Sequence, residues 1–150
     1  MPQSLDCVLL HIIFSTKERH PYIDKTIAPD LYKYMSTTIR NLGCECPLIG
    51  GVADHIHLAV RLSRTIAIAT LLDDVKANAS KWIKSQSQVL AAFAWQRGYG
   101  VFSVGPTDQD KLLAYISSQE EHHKTRSFQD EYRAFLKKYG VAYDEKYVWD

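Results

Sequence analysis

Residues Leu5 to Phe14 form a near-continuous apolar run, which fits a central strand covered on both faces. Pro29 suits the first turn of a helix. Leu31, Tyr34, Met35, Thr38, Ile39 and Leu42 follow at helical spacing, and Gly43 supplies the stop. Cys44 to Val52 reads as a second strand ending in Gly50-Gly51, and Asp54 to Leu62 as a third, so that the two make a hairpin. Thr65 opens a second long helix with Ile68, Leu72, Val75, Ala79, Trp82 and Ile83 on one face. Phe93 to Val104 reads as a fourth strand. The order strand–helix–strand–strand–helix–strand predicts an α/β (α+β) fold with a ferredoxin-like antiparallel sheet, βαββαβ, backed by two helices.

Two further helices follow that such a sandwich does not need. One has a capping-box-like start at Thr107 and Asp110 and runs to about Lys124. The other is capped by Ser127 and carries Phe128, Tyr132, Phe135, Leu136 and Tyr139 before Gly140. No internal repeat, low-complexity segment or linker divides the chain, so residues 1–150 read as one domain.

Composition changes this picture little. Hydrophobic content of 46% and charged content of 23% are globular values, and 150 residues suffice for a substantial core. A net charge of +1 excludes bulk electrostatics as the means of holding a nucleic acid, so any such partner needs a local patch. Three cysteines, Cys7, Cys44 and Cys46, read as reduced thiols. With no basic signal region and no spanning apolar run, a soluble cytoplasmic domain is expected.

The chemistry begins at His55-Ile56-His57. Side chains on a strand alternate, so the two imidazoles share a face while Ile56, Leu58 and Val60 take the other, core-directed one. Such a pair suits two ligands of one metal ion. On the helix from Thr107, Tyr115 and Gln119 lie four residues apart and share a face. Packed on the uncovered side of the sheet, that helix brings a phenol and an amide oxygen over the histidines.

Asp54-His55-Ile56-His57 together with Tyr115-Ile116-Ser117-Ser118-Gln119 resembles the signature of single-tyrosine HUH transposases, the small insertion-sequence transposases and their REP-associated relatives. Gly50-Gly51-Val52-Ala53 and the His122-His123…Ser127-Phe128 region resemble them too, in the family's order. The resemblance implies cleavage and rejoining of single-stranded DNA at hairpin-bearing element ends, in a prokaryotic cytoplasm at the nucleoid. By position, His55, His57 and Gln119 would bind Mg²⁺ or Mn²⁺, and Tyr115 would attack the scissile phosphate to leave a 5′-phosphotyrosine and a free 3′-hydroxyl. A homodimer is implied as well, often with the tyrosine helix set against the partner's histidines. Ser118 departs from the Asn expected before the Gln.

The chemistry is self-consistent, since exchanging one phosphodiester for another is close to energy-neutral. A phenol of pKa ~10 is ionised to only about one part in a thousand at pH 7, a deficit of roughly 4 kcal/mol that a nearby cation must offset. Lys111, one turn before Tyr115, is a candidate beside the metal. For DNA, Lys76, Lys81 and Lys84 line the second helix, Arg61, Arg64, Lys17 and Arg19 lie near strand ends, and Trp95 and Tyr99 could stack on bases. His122, three residues after Gln119, is a rival ligand or a phosphate contact. Two other readings stay open: a structural zinc site of Cys44, Cys46, His55 and His57 on adjacent strands, and a non-catalytic ferredoxin-like binding module.

Overall fold

A computed structural model describes residues 2–150. Four strands, β1 (Leu9–Ser15), β2 (Glu45–Val52), β3 (His55–Arg61) and β4 (Gly100–Val104), form one antiparallel sheet in the order β2-β3-β1-β4. With α1 (Ala28–Asn41) after β1 and α2 (Ile68–Gln86) after β3, this is the expected βαββαβ arrangement. All seven residues of β1 are buried, as an apolar run sandwiched between two layers requires. Gly43, at φ +83°, ends α1 in the left-handed conformation that a glycine adopts without strain.

Leu31, Met35 and Ile39 of α1 and Leu72, Val75, Ala79 and Ile83 of α2 pack with Ile12, Phe14, Ile56, Leu58 and Val60 to form the main core on one face of the sheet. The opposite face is shared by three more helices, α3 (Gln109–Ser117), α4 (Gln119–His122) and α5 (Phe128–Lys138). Leu112 and Ile116 of α3 cover Leu9 and Ala59. Phe128, Tyr132 and Leu136 of α5 cover Ile13 and Phe102. The second face thus carries two apolar patches, and a polar group lies between them.

Two elements depart from the pattern reading. The helix expected to run to about Lys124 breaks at Ser118 (φ −98°, ψ 15°), which ends α3 and begins α4. Ser117 Oγ donates to the Ala114 carbonyl and Ser118 Oγ to that of Tyr115, side-chain bonds that compete with the helical ladder. The fourth strand is shorter than residues 93–104. Phe93 and Trp95 enter the main core, the segment meets the end of β1 through a Thr16–Trp95 bridge and the Gln96 amide on the Ser15 carbonyl, and the Lys76 ammonium takes up the carbonyls of Gln96, Arg97 and Gly98. The last helix keeps its expected cap, with Ser127 Oγ accepting from the Asp130 amide at 3.1 Å.

Candidate active site

Strand alternation sets His11, Ser15, His55 and His57 on the face covered by α3 and α5, and all four are buried. Three imidazoles converge on one carboxylate oxygen. Glu131 Oε1 lies 3.0 Å from His57 Nε2, 3.2 Å from His123 Nε2 and 3.4 Å from His55 Nε2. The ligand atoms of these four residues all lie within 4.8 Å of one another. Gln119 Oε1 joins them, 3.0 Å from His123 Nε2 and 3.3 Å from His55 Nε2, while its amide nitrogen donates to the Tyr115 carbonyl at 3.3 Å.

Each imidazole is also held from behind. Asp54 Oδ1 lies 2.6 Å from His55 Nδ1, His11 Nε2 lies 2.8 Å from His57 Nδ1, and the Arg126 carbonyl lies 2.5 Å from His123 Nδ1. Partners of this kind fix ring orientation and aim the far nitrogen, as they do around metal-ligating histidines. Among the described residues, no buried side-chain nitrogen or oxygen lacks a partner.

Tyr115 meets this group through its phenol, which donates to Glu131 Oε2 of the same chain. Its ring lies edge-on to those of His11 and His57 and tilts against that of His122, 4.8 Å between centroids. Burial and then the adjoining Glu131 carboxylate push its pKa well above the ordinary phenol value. For Glu131, burial alone would raise the pKa, but the His123, His55 and His57 imidazoles against it outweigh that effect and hold the carboxyl far below its usual range. Burial lowers His57 to about 4 and His11 to about 3. His55 goes the other way, because hydrogen bonds to Asp54 and Glu131 outweigh the opposing effect of burial.

Two clefts flank the group. One of about 550 Å³ is bordered by His11, Lys111, Tyr115 and Lys138. A larger one of about 1010 Å³ runs past Asp54 and His123 to Lys25, Tyr32, Lys124 and Arg126.

The structure brings together His55, His57, Gln119 and Tyr115, with Lys111 on the adjoining cleft wall and His122 against the phenol. The other cationic and aromatic candidates lie apart. Lys81 and Lys84 are exposed on α2, the layer on the far side of the sheet from the histidines. Lys76 is spent on three carbonyls, Arg61 is paired with Glu45 and Gln109, and Trp95 packs against Phe14 and Phe93 while donating to the Lys76 carbonyl. The four-residue zinc alternative is not formed: Cys44 is buried in the main core and Cys46 packs against it on the α1 side, across the sheet from His55 and His57.

Glu131 and His11 escaped the sequence reading, and His123 entered it only within the His122-His123 region, with no ligand role. Glu131 occupies a buried position of the α5 stripe 128, 131, 132, 135, and a carboxylate there was a readable signal. His11 interrupts a run buried on both faces and shares its alternation with Ile13, the partner of His57. His123 was hidden by the break at Ser118.

The fold and site therefore define a ferredoxin-like domain whose second face holds a buried histidine–carboxylate group beside a tyrosine. The chain belongs to the family of IS200-like transposases, whose model matches residues 5–119. This assigns it a transposase role and places it among DNA-cleaving enzymes. Among solved structures it is similar to a Deinococcus radiodurans R1 protein described as a transposase, at 19% identity and a TM-score of 0.62, covering 79% of this chain and 98% of that one. It is also similar to a REP-associated tyrosine transposase bound to a REP hairpin, at 11% identity and a TM-score of 0.59, covering 82% of this chain and 72% of that one. No curated protein matches it. Among the described residues, no helix is long and apolar enough to cross a membrane.

Proposed function

We propose that this chain cleaves and rejoins single-stranded DNA by transesterification through Tyr115, with a divalent ion held at His55, His57 and Gln119. The observation that carries this reading is the seating of the Tyr115 phenol within the histidine–carboxylate group of its own chain. The phenol oxygen bonds to phosphorus, and the P–O3′ bond breaks with its electron pair leaving on the 3′-oxygen, which takes a proton from water. Glu131 Oε2 orients the phenol through its hydrogen bond, and the phenolic proton is given up to water, which balances the proton taken by the 3′-oxygen. Rejoining reverses these steps with a different 3′-hydroxyl.

The residues present fit a divalent ion. The nitrogens of His55 and His57 and the amide oxygen of Gln119 converge, and Asp54 and His11 orient the two imidazoles. When bound, the ion supplies Lewis-acid stabilisation of charge on the phosphate and the phenolate. Such charge is needed here, because burial and Glu131 otherwise keep Tyr115 protonated. Lys111 and Lys138, on the cleft beside Tyr115, are the cations best placed for the strand's phosphates. The hairpin bound by the REP-associated neighbour supports hairpin-bearing DNA as the substrate of this chain. The cis seating of Tyr115 supports a site complete within one chain, and a homodimer, if formed, would then not need to exchange tyrosines.

The test is incubation with single-stranded oligonucleotides carrying hairpins, with Mn²⁺ or Mg²⁺. A covalent protein–DNA adduct is expected with the wild-type chain and none with Tyr115→Phe. An adduct of undiminished yield in Tyr115→Phe overturns the proposal.

A further inference from the structure

We infer that His123 and Glu131 are ligands of the same ion as His55 and His57, and that this three-imidazole, one-carboxylate set favours Mn²⁺, Co²⁺ or Zn²⁺ over Mg²⁺. The inference rests on the metal-dependent reading above and adds two ligands to it. Both come from beyond residues 5–119, the part of the chain that the family model matches.

Hydrogen-bond inventory carries the argument. The Arg126 carbonyl can only accept, so His123 Nδ1 bears a hydrogen. Its Nε2 then faces two more acceptors, Gln119 Oε1 and Glu131 Oε1. His55 repeats the pattern, with Asp54 Oδ1 at Nδ1 and the same two oxygens at Nε2. Gln119 cannot turn a donor inward, because its amide nitrogen is committed to the Tyr115 carbonyl. Two ring nitrogens and two oxygens therefore face one point, where the single donor that a neutral His57 Nε2 supplies cannot match all of them. A cation at that point satisfies all four, and His57 Nε2 opens onto it as well.

The placement is rigid. Phe128, Tyr132 and Leu136 seat α5 on β1 and β4, so Glu131 projects from the fixed side of a packed helix. The other carboxylate oxygen holds the Tyr115 phenol, which sets the nucleophile one carboxylate away from the ion. Mg²⁺ prefers oxygen ligands and keeps its waters, whereas imidazole suits Zn²⁺ and its first-row neighbours such as Co²⁺, with Mn²⁺ the weakest binder of that row.

The experiment titrates the metal-free full-length chain with Co²⁺, Mn²⁺ and Mg²⁺, following heat and the visible Co²⁺ bands, alongside His123→Ala, Glu131→Gln, Glu131→Asp and His57→Ala. Wild type is expected to bind Co²⁺ and Mn²⁺ at least tenfold more tightly than Mg²⁺. His123→Ala and Glu131→Gln should each weaken Co²⁺ binding about tenfold or more and alter its bands, with Glu131→Asp recovering part of the loss. His123 lies between α4 and α5 rather than within a helix, so His123→Ala carries the test if Glu131→Gln fails to fold. Wild-type affinity and bands in His123→Ala, with binding lost in His57→Ala, overturn the added ligands and leave the proposed function standing. A wild-type chain that binds none of these ions overturns both.

Discussion

Gly50 lies on β2 beneath the last turn of α3, paired with His57 across the hairpin. A Cβ at this position would meet the Ile116 carbonyl oxygen at 2.7 Å and Ile116 Cγ2 at 2.8 Å. Ordinary contact begins at 3.4 Å, so Gly50→Ala forces α3 to retreat by about 0.7 Å, backbone against backbone. Overpacking of this kind costs about 1–3 kcal/mol. Because Ile116 adjoins Tyr115, the phenol moves with it. A displacement near 1 Å at a reacting group costs roughly a hundredfold in rate, so a ten- to hundredfold loss of adduct formation at saturating DNA is expected. Denaturant unfolding would give the first quantity and single-turnover adduct formation the second. Unchanged stability together with an unchanged single-turnover rate would refute the claim that this close approach sets the position of the tyrosine.

Lys76→Met removes an ammonium that bridges three carbonyls and should destabilise the fold by about 1.5–3 kcal/mol in denaturant unfolding, the range for bonds to a charged group. Lys81→Ala combined with Lys84→Ala should change stability by no more than about 0.5 kcal/mol and leave adduct yield at the wild-type level, because both lysines lie across the sheet from the site. Mixing Tyr115→Phe with His57→Ala should restore no adduct, as the proposed cis seating of Tyr115 against Glu131 requires. Recovery of activity in the mixture would show that tyrosines are exchanged between chains.

The hydrophobic pattern carried the sheet and both long helices, because β1 is buried throughout and α1 and α2 keep clean helical stripes. Period-two alternation likewise set His55 and His57 on one face, and the family resemblance supplied Tyr115 and Gln119. Local propensity failed where side chains redirect the backbone. Ser117 and Ser118 turn their hydroxyls onto the backbone where the helix breaks, and the Lys76 ammonium holds the carbonyls of residues 96–98 in an irregular segment before β4. Half of the polar group was hidden for a different reason. Glu131 and His123 join the histidine pair only through the packing of α5, a contact between residues more than 60 positions apart that no local pattern encodes. The α2 lysines show the converse limit: helical periodicity grouped them, but the side of the sheet that α2 covers was set only by packing.

Peptide mass mapping of the chain after reaction with a hairpin-bearing single-stranded oligonucleotide and Mn²⁺ tests the central claim most directly. One modified peptide is expected, with the DNA joined through its 5′-phosphate to Tyr115 and an oligonucleotide released with a free 3′-hydroxyl. DNA attached at any other residue, or cleavage that leaves the protein unmodified throughout, would contradict it.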